Sequence, residues 1–438
     1  MLLFLIAALG LAACGGGRPD KPRVVLLGLD GADWTLIDPL IAQGRLPLFQ
    51  ELKQTGAWGS LRTITPAKSP VVWASIATGK KPEKHGVLDF RSTRRNRKGK
   101  FPLASSLDLR EPAIWEMLDS QGLRSVVVNW YLSFPPRPFG GLNVSDYFAD
   151  SVAGGTRDRA ARLRQSVFPP GRAEELARGL DLPYRRVLER TGLPDYPALA
   201  ANVQDAASLE GLPVLPKVPD MVRKEHVVAE VAARLFREEE FDLFAAYFRL
   251  PDEIQHIAYI ALIDEAERRR LDAASSGGSL PEELARQTYK RIADILCPVY
   301  QNVERILRGY VSAASGRDTY FILMSDHGFS FFFRDGRVRY NHIGQERAPD
   351  GILIVRGPGV KAGKLLGASV YDIAPTVLYL LDLPLDRTMD GEPLRRIFAL
   401  KRQTRYAAYR KGKAAAASAL GEAEERKLEE LKALGYIN

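Results

Sequence analysis

The sequence predicts an α/β sandwich, a mostly parallel central sheet with helices on both faces. Three observations predict it. Short apolar runs recur without alternation, as strands buried on both faces require. Segments with helical spacing lie between the runs. Three of the runs end in, or lead straight into, an aspartate, and ligands gather at the carboxyl ends of strands in such sheets.

The first run, residues 24–30, closes on Asp30 and Gly31. The second is 125–130. The third, 241–250, leads into Asp252, the fourth, 320–326, ends on Asp326, and the fifth is 351–356. Helical patterns cover 114–121, 224–240, 283–310 and 371–381. Residues 150–240 interrupt the alternation with Arg, Pro and short helical pieces. They read as an insert that caps the site and divides a catalytic core into 22–149 and 241–395. Residues 396–438 form an Ala-, Glu- and Lys-rich tail. It ends in an amphipathic helix near 428–434 that packs on the surface or on a partner.

Of the 438 residues, 46% are hydrophobic and 26% charged, which excludes a disordered chain, a collagen-like repeat and a polytopic membrane protein. The net charge of +9 favours anionic partners, phosphates or acidic lipid headgroups. No nucleic-acid binding is expected. The two cysteines, Cys14 and Cys297, exclude a disulfide framework and an all-cysteine metal site. Residues 2–13 form an apolar run too short to span a bilayer and suited to a secretory signal. Leu11-Ala12-Ala13-Cys14 resembles a bacterial lipobox, and three glycines follow it. The expectation is cleavage before Cys14, acylation of Cys14, and a flexible tether to residue 21. That places the protein in the bacterial cell envelope, and Gly15 favours the outer membrane. Cys297 reads as inert core.

Chemistry concentrates in a few residues. His327 directly follows Asp326. His256 lies four residues after Asp252, on one helix face. His342 sits alone after Asn341. Aspartate and neutral histidine together suit a divalent metal, and buried strand-end charges need such a partner. Ser69, followed by Pro70, reads as a helix N-cap with Pro at the first helical position. A hydroxyl there faces the positive end of the helix dipole, which favours an alkoxide and an incoming phosphate. By itself such a start does no more than cap a helix.

In order along the chain stand Leu29-Asp30-Gly31, Ser69 ten residues before Gly79, Asp252 with His256, Asp326-His327-Gly328, and His342. This ordered set resembles the alkaline phosphatase superfamily, most closely its type I phosphodiesterase/nucleotide pyrophosphatase family. The resemblance implies an alkaline-phosphatase-like three-layer sandwich with an inserted helical cap. It also implies two divalent metal ions. Asp252, His256 and His342 would hold one; Asp30, Asp326, His327 and the Ser69 oxygen would hold the other. Zn²⁺ suits the set best, and Mn²⁺ or Fe is compatible. Ser69 would be the catalytic nucleophile and carry a covalent phosphoryl intermediate on an anionic phosphoester substrate, a phosphodiester in preference to a monoester.

Departures from the pattern bear on the substrate. Many nucleotide-cleaving members place an Asn shortly after a His-Gly to bind a phosphate oxygen, and the matching position is Phe90. Lys68, Lys81 and Arg91 are candidates for that contact on charge alone; Arg91 opens a run with six basic residues in ten. His85 reads as a loop-structuring residue. Val71 and Trp73 stand where a sulfatase needs Pro and Arg. The phosphoglycerate mutase branch conflicts with the lipobox. Two other readings stay open: a phospho- or sulfo-group transferase, and a non-catalytic envelope lipoprotein stabilised by metal.

Overall fold

The computed structural model describes residues 22–437 apart from 97–98, 154–157, 204–211, 276–279, 314–317, 343–347, 400 and 413–421. Residues 1–21, where the sequence leads one to expect a signal and tether with Cys14, lie outside the described residues. In chain order the strands are β1 (Arg23–Leu29), β2 (Ala57–Arg62), β3 (Ser125–Val128), β4 (Gly141–Val144), β5 (Val167–Phe168), β6 (Leu243–Phe248), β7 (Thr319–Met324), β8 (Ser330–Arg334), β9 (Arg337–Asn341), β10 (Gly351–Arg356), β11 (Gly363–Lys364) and β12 (Ala368–Ser369). A ten-stranded sheet runs β11-β2-β10-β7-β1-β6-β3-β4-β5, with β12 also paired to β2. Strands β7, β1, β6, β3 and β4 are mutually parallel. Their register sets Leu29 beside Phe248 and Gly28 beside Met324, so the carboxyl ends of β1, β6 and β7 lie side by side.

The unalternating pattern of β1 has a direct cause. Val24 and Leu26 enter one apolar core, and Val25, Leu27 and Leu29 enter the other. Burying each such side chain contributes roughly 1.5–3 kcal/mol, so both faces of the strand hold it in register. Seven helices matter here: α1 (Trp34–Ala42), α2 (Ser69–Thr78), α3 (Ile114–Asp119), α4 (Val218–Glu238), α5 (Leu250–Ala261), α6 (Glu282–Ala313) and α7 (Ile373–Leu380). Side chains of α1, α4, α5 and α6 fill one core, and those of α2, α3 and α7 fill the other. Asp33 caps α1, accepting from the Thr35 and Leu36 amides at 2.7 and 3.3 Å. No described helix is long and apolar enough to cross a membrane.

The structure departs from the sequence expectation at β10 and at the start of α4, and fills in the short helices and the tail helix that the sequence leads one to expect. β10 reads as one more parallel strand, yet it runs antiparallel to β7 and β2. A parallel return needs a crossover, and the chain between β7 and β10 instead forms the β8–β9 hairpin. Within 158–203 the chain forms short helices whose Leu163, Leu176, Val187 and Tyr196 join the α4 core. α4 begins at Val218, ahead of the helical pattern, and packs against β3 and β6. The tail forms helix α8 (Glu422–Ala433), whose Leu431 packs with Phe90 and Leu103.

Candidate active site

The six predicted Asp and His ligands lie on or just beyond four elements, three of them strands of the central sheet or the helix that follows one. Asp30 follows β1, and its amide extends the ladder to the Phe248 carbonyl at 2.9 Å. Asp326 and His327 follow β7. Asp252 and His256 lie one turn apart on α5, which starts just after β6, and His342 follows β9. All six are buried. They form two groups, Asp252 with His256 and His342, and Asp30 with Asp326 and His327; within each group the ligand atoms lie within 4.8 Å of one another.

In the first group Asp252 Oδ1 stands 3.6 Å from both His256 Nε2 and His342 Nε2, and the two nitrogens are 3.2 Å apart. In the second, His327 Nε2 stands 3.4 Å from Asp30 Oδ1 and 3.3 Å from Asp326 Oδ2. Ligands about 2.0–2.1 Å from a tetrahedral ion stand roughly 3.3 Å apart, so both groups fit a divalent metal. The His327 and His342 rings stack at 3.7 Å and an angle of 9°, which sets the groups side by side.

The carboxylate oxygens give the sharper test. Asp30 accepts the Tyr247 hydroxyl on Oδ2, Asp252 accepts the Tyr436 hydroxyl on Oδ2, and Asp326 accepts the Gly31 amide on Oδ1 at 3.3 Å. The other oxygen of each, Asp30 Oδ1, Asp252 Oδ1 and Asp326 Oδ2, is buried without a hydrogen-bond partner among the described residues. Those three oxygens face the imidazole nitrogens. An unsatisfied buried carboxylate oxygen is costly, and a cation placed among them removes the deficit.

The electrostatics agree. Burial, reinforced by the charges of Asp326 and Asp252, pushes the Asp30 carboxyl well above its usual range. Burial also raises Asp326. Burial and the neighbouring His327 push the His342 imidazole well down, so it is the neutral, ligating form. Its Nδ1–H donates to the Ala67 carbonyl at 2.9 Å, which fixes the tautomer and leaves Nε2 for the group.

Ala67 lies two residues before Ser69, so this bond ties the start of α2 to the two candidate metal-binding groups. Ser69 is buried, as is every residue of α2. The sequence reads it as the N-cap, but Lys68 is the cap and Ser69 the first helical residue. The Lys68 carbonyl closes the first turn, accepting from the Val71 and Val72 amides at 2.8 and 3.0 Å. With Pro70 lacking an amide proton, the turn closes on backbone groups, without a side-chain cap.

A family model for type I phosphodiesterase / nucleotide pyrophosphatase matches residues 24–432. The chain belongs to that family. Over 101 residues it is 27% identical to the 2,3-bisphosphoglycerate-independent phosphoglycerate mutase of Yersinia pestis (strain Pestoides F), which covers 23% of this chain and 19% of that protein. The chain thus spans about a fifth of the length of the curated relatives it matches. The structure of the 2-O GAG sulfatase BT1596 superposes with a TM-score of 0.55 at 16% identity, covering 88% of this chain and 76% of that one. A candidate sulfatase from Bacteroides thetaiotaomicron VPI-5482 gives 0.52 at 14% identity, covering 89% and 76%. These likenesses show the alkaline-phosphatase-like fold.

Around the centre of this type I phosphodiesterase/nucleotide pyrophosphatase family member, two of the three charged candidates, Lys68 and Arg91, have their side chains engaged. Lys68 Nζ pairs with Asp89 at 2.6 Å. Arg91 donates to the Phe101 carbonyl at 3.2 Å. Lys81 is exposed and gives its backbone amide to Asp390. Phe90 is buried against Tyr436, with ring centroids 5.0 Å apart. His85 serves its loop: Nε2 lies 2.9 Å from Ser75 Oγ, Nδ1 accepts the Val87 amide, and burial lowers its pKa to about 4. Cys297 is a buried free thiol.

Sequence reasoning missed the residues that orient the ligands. Tyr247 reads as one more aromatic in a buried strand, and Tyr436 as the end of a polar tail. Burial and the adjacent carboxylates raise both phenols well above 10, which keeps them hydrogen-bond donors. Gln255, one residue before His256, donates to the Gly31 carbonyl at 2.6 Å and accepts the Tyr340 hydroxyl at 3.1 Å, tying α5 to the β1 loop.

Proposed function

We propose that this protein is a two-metal phosphodiesterase that uses Ser69 as its nucleophile on an anionic phosphodiester. The observation that carries the reading is the convergence of three buried carboxylates, each with one oxygen unpartnered among the described residues, with three imidazoles contributed by α5 and by the segments after β7 and β9. Asp252, His256 and His342 would hold one divalent ion, Zn²⁺ by the donor set, and Asp30, Asp326 and His327 the other. When bound, the pair supplies Lewis-acid stabilisation to phosphoryl oxygens and to an ionised hydroxyl.

The chain's own residues do the rest. The helix dipole of α2 favours negative charge at Ser69 and at a bound phosphoryl group. The Ser69 oxygen forms a bond to phosphorus as the bond to the leaving oxygen breaks, and the proton given up by Ser69 ends on that oxygen to release the alcohol. Water then cleaves the Ser69–phosphorus ester and restores the hydroxyl. The Ala67 carbonyl holds the His342 tautomer through both steps.

The lipobox-like segment extends the proposal to a lipid-anchored envelope protein acylated on Cys14. Radiolabelled palmitate incorporation, lost in Cys14→Ser, tests that part separately.

The test of the activity compares bis-p-nitrophenyl phosphate, p-nitrophenyl phosphate and p-nitrophenyl sulfate, with Ser69→Ala as control. Diester turnover that falls at least 100-fold in Ser69→Ala, with both metals retained, supports the reading. Diester turnover unaffected by Ser69→Ala removes the nucleophile assignment, and preferential sulfate turnover removes the substrate class.

A further inference from the structure

We infer that the C-terminal segment is part of the metal centre, with Tyr436 as the positioning residue of Asp252. The inference rests on the reading that Asp252, His256 and His342 hold a divalent ion. Tyr436 lies beyond the residues matched by the family model.

The tail is gripped by buried charges. Glu430 pairs with Lys224 at 2.5 Å and with Arg249 at 3.4 Å. Lys427 pairs with Asp146 at 3.0 Å and lies over the rings of Tyr147 and Tyr131, at 4.1 and 5.3 Å. Charges this buried hold their geometry because separating them leaves an uncompensated ion. Arg249 is also the N-cap of α5, the helix that carries Asp252 and His256. The tail therefore grips the element that bears two of the three ligands.

The end of α8 then turns the chain back onto the site. Gly435 has φ +80°, and the Tyr436 amide donates to the Leu431 carbonyl at 2.9 Å, a glycine-dependent helix ending. This turn sets the Tyr436 ring 4.7 Å from His256, 5.6 Å from His342 and 5.0 Å from Phe90. Its hydroxyl donates to Asp252 Oδ2, and Oδ1 is left facing the imidazoles. A helix that only covered the surface would need none of this aim. Tyr247 plays the same part for Asp30 from within the sheet. Outer partners of metal ligands set ligand orientation, and their loss costs about 10–100-fold in metal affinity.

The experiment is Zn²⁺ titration calorimetry on the full chain, its Tyr436→Phe variant and a variant lacking residues 436–438, with Phe90→Leu as a packing control. Thermal melting confirms that each is folded. Both Tyr436 variants should lose 10–100-fold affinity at one of two sites and keep the other. Phe90→Leu should keep both. Cobalt-substituted Tyr436→Phe should show altered visible absorption for one equivalent only. Wild-type affinities and an unchanged cobalt spectrum in Tyr436→Phe would overturn the inference while leaving the two-metal reading intact. Equal weakening in Tyr436→Phe and Phe90→Leu would reduce Tyr436 to packing and also overturn it. A wild-type chain that takes up fewer than two ions would remove the underlying reading first.

Discussion

Tyr247 donates its hydroxyl to Oδ2 of Asp30, and its ring packs edge-on against Trp73 of the Ser69 helix at a centroid distance of 4.7 Å. One side chain therefore orients a carboxylate of the proposed metal site and braces the helix that carries Ser69. Tyr247→Phe keeps the packing and removes the donor. The Asp30, Asp326 and His327 site should then bind Zn²⁺ about 10–100-fold more weakly while the thermal midpoint of the metal-free protein changes little. Competition with a fluorescent chelator measures it. Unchanged affinity at both sites would reduce the Tyr247–Asp30 bond to a structural contact.

Gly28 lies under the same cluster. A Cβ on Gly28 would stand 2.5 Å from the buried Trp73 ring, so the ring, α2 or β1 must shift to admit it. Gly28→Ala should destabilise the fold by about 1–3 kcal/mol, as overpacking does, and lower turnover by shifting Ser69. Urea unfolding and diesterase rate check the two effects together. A stable variant with normal turnover would show that α2 adjusts without consequence to the site.

Much of this was legible in the sequence because burial on both faces leaves a plain mark. The runs ending near Asp30 and Asp326 became β1 and β7, and the Asp252–His256 spacing fell on one face of α5 as drawn. The strand direction of β10 was not legible, since an apolar run carries no sign of which way it enters a sheet. β2 escaped because it is half exposed on one face and contains Gly59 within six residues. The Ser69 boundary was off by one position, as the Lys68 carbonyl took over the capping that a serine side chain ordinarily performs. Tyr436 was out of reach altogether: it meets Asp252 across 184 residues of chain, and no local pattern encodes that contact.

Metal removal should read out in stability. Three carboxylates with unpartnered oxygens, and imidazoles packed against them, are left to repel or desolvate one another without a cation. A ligand that binds only the folded state stabilises it by about 2.7 kcal/mol at 100 times its dissociation constant. The melting midpoint should rise with Zn²⁺ concentration and fall in EDTA, and Asp326→Asn should flatten the response. A midpoint indifferent to both Zn²⁺ and EDTA would contradict metal binding by the folded chain.

Glu225 supplies a pH dependence away from the ligands. Burial raises its carboxyl from 4.5 to about 7, against the opposing pull of the Arg249 amide and guanidinium. A carboxyl raised in the folded state contributes stability that is full below about 4.5 and is lost as pH rises through about 7. Glu225→Gln keeps an acceptor for the Arg249 amide and cannot ionise. The variant and the wild type should therefore differ by a constant amount below about pH 4. The variant should gain on the wild type as pH rises from about 4.5 to 7 and keep that gain, about 3 kcal/mol, from pH 7 to 9. Urea denaturation across that range decides it. An offset that does not change with pH would show that the Glu225 carboxyl does not titrate between those limits.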